Sequence, residues 1–167
     1  MSFKLRILGR PRLETAGGES VSLATRKAEA LLYYLAAHPN DWIPRDALCA
    51  LLWPRSAPEQ ARASLRQELA VFRKAFRRFD VVPLRTDGDK LTLSHEVFET
   101  DLAAFYALLN QGTAAAREQA LSIYGGRFLK EVSIKSNPFD DWARQSASDI
   151  ETRALREAMR HLEDAQS

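Results

Sequence analysis

Four arginines recur along one predicted helix, and these are the residues of the chain best suited to chemistry. They are Arg62, Arg66, Arg73 and Arg77, separated by four, seven and four residues. At 3.6 residues per turn these intervals place the four side chains along one side of the helix. A guanidinium group donates paired hydrogen bonds to a phosphate or to the edge of a guanine. The stripe therefore predicts a surface that can bind a polyanion.

The same predicted helix, residues 57–79, carries other side chains that bear on this prediction. Ser64 and Gln67 lie further around it and can hydrogen-bond base edges, Gln to adenine in particular. An apolar stripe lies beside the arginines and is formed by Ala61, Leu65, Leu69, Phe72 and Phe76. A solvated arginine face on an amphipathic helix would show the same pattern, and for an isolated helix that interpretation is favoured.

A predicted β-hairpin over residues 82–93 follows this helix directly. After Phe79 the apolar residues alternate, and the two alternating runs flank Asp87-Gly88-Asp89, a strong hairpin signal. Arg85 and Lys90 lie on its arms. A basic hairpin beside a basic helix suits a wing that enters the minor groove or contacts the DNA backbone.

Three more cations, Arg26, Lys27 and Arg45, lie in the first turns of two earlier predicted helices. Cations there interact unfavourably with the helix dipole. A nearby phosphate would explain their position, because helix N-termini bind phosphate. A solvated surface is the alternative for each residue taken singly.

The elements that must position these residues are a small sheet and three helices, giving an α+β unit. Residues 3–7 alternate as a strand, and 12–14 and 21–23 read as two more. Thr25 is a predicted N-cap, and Pro44 suits the first turn of the second helix. Ser56 and Glu59 have the spacing of a capping box ahead of the third helix.

A second unit, predicted to be all helical, follows the hairpin. Thr100 or Asp101 can cap its first helix, and residues 116–124 form another. Asn137-Pro138 marks a loop before a final helix that carries Trp142, Ile150, Leu155, Met159 and Leu162. We therefore predict a winged-helix domain at 1–98 and a helical-hairpin (TPR-like) domain at 99–167.

The two predicted domains differ in charge. Residues 1–98 hold 16 Lys/Arg and 11 Asp/Glu, a net charge of +5, whereas residues 99–167 hold 8 and 11, a net charge of −3. This asymmetry suggests separate roles, with a polyanion as the partner of the basic half. Two solvated surfaces that happen to differ would give the same sums.

The chain has no recognisable catalytic or metal-binding motif. His38, His95 and His161 lack metal-ligand spacing, and no glycine-rich phosphate loop is present. Cys49 lies in an apolar helix and is predicted to be a small core residue rather than a nucleophile. We therefore expect no enzyme activity, no metal and no cofactor. The single cysteine, together with the absence of a signal peptide or a bilayer-length apolar run, predicts a cytoplasmic protein without a membrane partner.

The first half resembles the winged helix of the Streptomyces antibiotic regulatory protein (SARP) family, in the run ATRKAEALLYYLAAHPNDWIPRDALCALLWPRSAPEQARASLRQELAVFRKAF. That domain is similar to the OmpR/PhoB-type winged helix of response regulators. The stretch ETDLAAFYALL…ALSIYGGRFLKE…WARQ resembles the start of the bacterial transcriptional activator domain. The resemblance implies an activator that binds double-stranded promoter DNA, commonly as a homodimer on direct repeats, and recruits RNA polymerase.

The resemblance also implies contact positions. In the similar response-regulator helix, the DNA contacts fall on positions that match Ala63, Ser64, Arg66, Val71 and Arg73. The wing match covers Arg85. Trp53 matches a tryptophan that lies near the DNA backbone, although burial is an equally good interpretation.

Two departures from the family pattern keep alternatives open. Acidic side chains lie close to the proposed surface, namely Glu59, Glu68, Asp87 and Asp89. They favour modest DNA affinity, or a protein-interaction module whose winged helix no longer binds DNA. The helical part is also shorter than in the family, which predicts either a fragment of a larger regulator or a trimmed version.

Overall fold

The start of the chain forms an antiparallel pair, β1 (Phe3–Arg6) with β2 (Arg12–Thr15), in a computed structural model that describes residues 1–167. Buried and exposed side chains alternate along β1 as the sequence predicts. The predicted third strand at 21–23 is wrong. An isolated bridge between Glu14 and Ser20 and a hydrogen bond from the Val21 N–H to the Leu13 carbonyl at 2.9 Å pair this stretch with the sheet, and Val21 and Leu23 bury their side chains from a loop.

The third strand of this sheet is β6 (Phe98–Thr100), which the sequence analysis missed. It runs parallel to β1, so the sheet order is β2-β1-β6. The ring of Phe3 stacks on Phe98 at 5.5 Å and meets Phe76 edge-on at 5.1 Å. The proposed domain boundary at 98/99 falls inside β6, and one hydrophobic core runs through both halves of the chain. The division into two domains stays a prediction.

Three helices follow β2: α1 (Arg26–Ala36), α2 (Arg45–Leu52) and α3 (Pro58–Phe76), with a 3₁₀ turn at Arg77–Phe79. Thr25 caps α1 as predicted, because its hydroxyl accepts a hydrogen bond from the Ala28 backbone N–H at 3.1 Å. The predicted capping box before α3 is wrong. The N-cap is Ala57, without a side-chain hydrogen bond. Pro58 begins α3, where its fixed φ suits a first turn and no N–H is needed.

The five residues of the predicted apolar stripe are the buried residues of α3. The predicted hairpin is also present, as β4 (Leu84–Asp87) and β5 (Lys90–Leu93). A two-residue strand, β3 (Ile43–Pro44), pairs with β5 and extends the hairpin into a second antiparallel sheet of order β3-β5-β4. Because β3 leads directly into α2, this sheet fixes the hairpin to the helices.

The second half consists of α4 (Asp101–Gln111), α5 (Ala114–Ile123) and α6 (Asn137–Gln166). Thr100 caps α4, and Asp101 instead accepts the backbone N–H groups of Ile7 and Leu8 at 2.9 and 3.0 Å. The predicted loop at Asn137-Pro138 is wrong, since proline at a first helical turn starts α6 there. The buried Ser136 hydroxyl donates to the Leu51 carbonyl at 2.9 Å and joins this end of α6 to α2.

None of the helices combines the length and the apolar composition that crossing a bilayer requires.

Candidate nucleic-acid interface

The exposed side of α3 carries arginines that have no anionic partner. Arg66, Arg73 and Arg77 are exposed, and none of them forms an ion pair. Gln67 is exposed beside them. The adjoining apolar side of α3 is buried in the core, so the helix is anchored while these side chains stay available. A helix of this kind can donate hydrogen bonds to phosphates and base edges without first breaking internal contacts.

Arg62, the first arginine of the stripe, is bound within the protein. Its Nη2 lies 2.6 Å and its Nε 3.1 Å from Asp46 Oδ1, and Asp89 Oδ2 is 3.8 Å away. The hydrogen bond with Asp46, followed by the charges of both carboxylates, raises the pKa of Arg62. Arg62 therefore joins α3 to α2 and to the turn of the hairpin, and its charge is largely neutralised there.

The hairpin cations also differ in availability. Arg85 on β4 forms an ion pair with Glu96, beyond the end of β5. The pKa of Glu96 is lowered by a hydrogen bond from the backbone N–H of Glu96 itself, and then by the hydrogen bond and the charge of Arg85. Lys90 is exposed and forms no ion pair, although Asp87 is its register partner across the turn. Of the two predicted wing cations, Lys90 is the freer one.

Arg45 links the start of α2 to the hairpin turn. Its backbone N–H donates to the Asp89 carbonyl at 2.9 Å, and its Nη1 donates to the Gly88 carbonyl at 3.3 Å. These bonds orient the turn relative to α2 and α3. Arg45 lies in the first turn of α2, where the sequence analysis proposed a nearby phosphate. The structure shows that Arg45 also makes a contact within the protein at this position.

Arg26 and Lys27 open α1 but have different surroundings. Arg26 is exposed. Lys27 Nζ donates to the Leu52 carbonyl at 2.8 Å and lies 4.7 Å from the centre of the Trp53 ring. Burial lowers the pKa of Lys27, and the charge of Glu68 opposes that change. Lys27 therefore completes the C-terminal end of α2, where the last carbonyls of a helix lack partners.

The remaining predicted contact residue on α3, Ser64, is partly buried. Of the acidic neighbours, Glu68 accepts a hydrogen bond from the Thr25 hydroxyl, and Asp89 lies near Arg62. Glu59 is exposed and forms no ion pair. The structure thus aligns Arg62, Arg66, Gln67 and Arg73 along α3, with Arg62 at the hairpin turn, and it ties some of the acids to internal partners.

Two more cations belong to this surface: Arg77, the last arginine of the predicted stripe, and Lys74, which the sequence analysis did not single out. Both are exposed and form no ion pair. Arg77 follows Arg73 by four residues, as the spacing of the stripe requires, and lies in the 3₁₀ turn that continues α3. They lengthen the basic surface toward the C-terminal end of α3.

Two further observations concern metal binding and nucleophilic chemistry. No cluster of three or more His, Cys, Asp or Glu side chains has the arrangement of a metal site. Cys49 is buried, and burial followed by the charge of Asp46 raises the pKa of its thiol. A raised thiol pKa leaves little nucleophilic thiolate at neutral pH.

No protein-family model matches this chain, and no curated protein matches it either. Among solved structures, the chain is similar to Mycobacterium tuberculosis EmbR in complex with a low-affinity phosphopeptide. The TM-score is 0.77 at 22% sequence identity, over 95% of this chain and 44% of the EmbR chain. The chain thus spans less than half the length of EmbR. This likeness establishes a shared α+β fold with small sheets and six helices.

Proposed function

We propose that this protein is a sequence-specific DNA-binding transcription regulator of the SARP type, with α3 in the major groove and the β4–β5 hairpin as its wing. The observation that carries the proposal is the set of exposed, unpaired arginines on a helix whose adjoining apolar side is buried in the core. The resemblance of the sequence to SARP winged helices and the EmbR-like fold support it. The resemblance further implies an activating role through RNA polymerase.

The contacts divide the cations into two groups with different roles in this proposal. Arg66, Arg73 and Gln67 are free to bind bases or phosphates, and Lys74 and Arg77 extend the phosphate-binding surface. Arg62, Arg85 and Lys27 already have internal partners. An arginine that must first leave a carboxylate gains less from a phosphate, because the lost ion pair offsets the new one.

The acidic partners provide a test of opposite sign. Glu96 holds Arg85 in an exposed ion pair, with both side chains more than half exposed. Glu96→Gln removes a negative charge near the DNA and frees Arg85. We expect this variant to bind DNA several-fold more tightly than wild type, whereas Arg85→Ala weakens binding less than Arg66→Ala does.

The experiment starts with selection of bound genomic fragments at low salt, followed by fluorescence anisotropy on the enriched motif at several salt concentrations. Arg73→Glu should abolish specific binding with little effect on folding, because its side chain is exposed and unpaired. Lys130→Glu is the matched control, since Lys130 is exposed, forms no ion pair and lies in the other half. Removing one phosphate contact should lower the salt slope by about 0.9.

A second candidate function has one observation in its favour. The internal pairing of Arg62 and Arg85 reduces the charge of the surface, as expected of a winged helix that serves as a protein-interaction module. That module would enrich no motif and would show no salt-dependent binding to DNA. If a motif is enriched and neither Arg73→Glu nor Lys130→Glu changes the affinity for it, the placement of α3 in the major groove is refuted as well.

A further inference from the structure

The C-terminal half of α6 presents apolar side chains to solvent. Leu155, Met159 and Leu162 are 60%, 64% and 62% exposed, and they are three of the six large hydrophobic residues that the fold leaves exposed. The other side of α6 is buried, with Ile150, Ala154 and Glu157 facing the protein. The exposed apolar residues therefore lie outside the part of α6 that the rest of the chain covers.

The spacing of the exposed residues is that of a coiled-coil seam. Thr152, Leu155, Met159, Leu162 and Gln166 are separated by three, four, three and four residues. This is the a/d alternation of a two-stranded coiled coil, in which each apolar side chain inserts between residues of a facing helix. The three exposed apolar residues keep this interval across one heptad, and the polar residues Thr152 and Gln166 continue it at either end.

The charges beside the seam show which helix fits against it. In the heptad defined by a at Met159 and d at Leu162, the e positions are Arg156 and Glu163. Both are exposed, and neither forms an ion pair within the chain. In an antiparallel pair, e positions face e positions. With Met159 opposite the second copy's Leu162, Arg156 faces the second copy's Glu163, and the reverse pair forms by symmetry.

We propose that α6 pairs antiparallel with α6 of a second copy of this chain, centred between Met159 and Leu162. The contact is self-complementary, because the two-fold axis places Arg156 of each copy beside Glu163 of the other, and Met159 of each copy beside Leu162 of the other. Leu155 lies opposite the second copy's Gln166 in the outer layers. Parallel pairing would instead bring Arg156 beside the second copy's Glu151, which already forms an ion pair with Arg127 in its own chain, and Glu163 beside the second copy's Ala158.

The size of the seam sets the strength of the dimer. Two heptads bury less than the roughly 1,200 Å² of a stable, specific interface, so we expect micromolar self-association. Both winged helices would then be related by a two-fold axis. A rigid dimer of this symmetry matches inverted DNA half-sites, in contrast to the direct repeats that the family resemblance implies.

The test is sedimentation equilibrium of the full chain at concentrations up to the millimolar range. Wild type should show a monomer–dimer equilibrium, and Met159→Glu should be monomeric. Gln119→Glu, an equally acidic change at an exposed position of α5, is the control and should dimerise like wild type. Circular dichroism of each variant verifies that α6 is intact.

Charge exchange tests the register. Arg156→Glu and Glu163→Arg should each weaken the dimer at least tenfold, and the double variant should restore it. If the wild-type chain stays monomeric, the proposal is overturned and the exposed apolar residues of α6 must bind a different partner. A dimer that survives Met159→Glu, or a double variant weaker than both single variants, overturns it as well. None of these results depends on DNA binding.

Discussion

Replacing Asp101 by alanine should destabilise the protein far more than an ordinary surface substitution. The Asp101 carboxylate accepts the backbone N–H groups of Ile7 and Leu8 at 2.9 and 3.0 Å, from the first residue of α4. These two N–H groups lie just past β1, where no neighbouring strand satisfies them. In Asp101→Ala both lose their acceptor.

The magnitude follows from these two bonds. A buried donor without a partner costs about 1–3 kcal/mol, so two give about 2–6 kcal/mol. Burial raises the pKa of Asp101 while the backbone N–H groups oppose it, so removing the carboxylate recovers part of that desolvation cost. We expect a net loss of about 2–4 kcal/mol in the free energy of unfolding. For a chain of this size, the melting temperature falls by roughly 5–15 °C.

Urea unfolding followed by tryptophan fluorescence and circular dichroism measures this loss. Asp101→Asn keeps one acceptor oxygen and should lose about half as much. Glu99→Ala is the matched control, because Glu99 is an exposed acid two residues earlier that forms no ion pair. An Asp101→Ala variant within about 0.5 kcal/mol of wild type would show that these hydrogen bonds do not hold α4 to β1.

Three other substitutions test the packing of the chain. Burial raises the pKa of Glu157, but hydrogen bonds from Arg153 and Arg117 outweigh it and lower the pKa overall. Glu157 should therefore stabilise the fold above about pH 4.3, and this contribution should vanish as pH falls through its lowered folded-state pKa. Glu157→Gln should accordingly lower the free energy of unfolding at pH 7 more than at pH 3, as measured by urea unfolding. Phe76→Ala should cost about 3–5 kcal/mol, because the ring is fully buried; a loss below 1 kcal/mol would contradict this packing. Gly112→Ala should cost about 1 kcal/mol, because φ is 73° there; an unchanged melting temperature would contradict it.

The fold was predictable where the signal lies within one element. The apolar stripe of α3 and the Asp87-Gly88-Asp89 hairpin follow from side-chain periodicity and turn preference, which depend on local backbone geometry. The shortest strands were not predictable. β3 has two residues and β6 has three, too few for an alternation to emerge. Both exist because an exposed strand edge elsewhere in the chain offers hydrogen-bond partners.

The candidate site was predictable in composition but not in the state of its charges. The sequence placed Arg62 and Arg73 on one stripe and treated them alike. In the structure Arg62 binds Asp46, sixteen residues away on another helix, whereas Arg73 has no anionic partner. Helical spacing reports which side of a helix a residue occupies, and it carries no information about the element packed beside it.

By itself, the sequence determined the three helices and the hairpin of the first half, the buried side of α3 and the line of arginines beside it, because each depends on 3.6- or 2-residue periodicity or turn preference along a continuous segment. Only the tertiary structure decided which of those arginines are neutralised, that β6 joins β1, and that Asp101 accepts two backbone N–H groups 93 and 94 residues away. Hydrogen bonds and ion pairs act over a few ångströms in space, so their partners are set by how the elements pack rather than by distance along the chain.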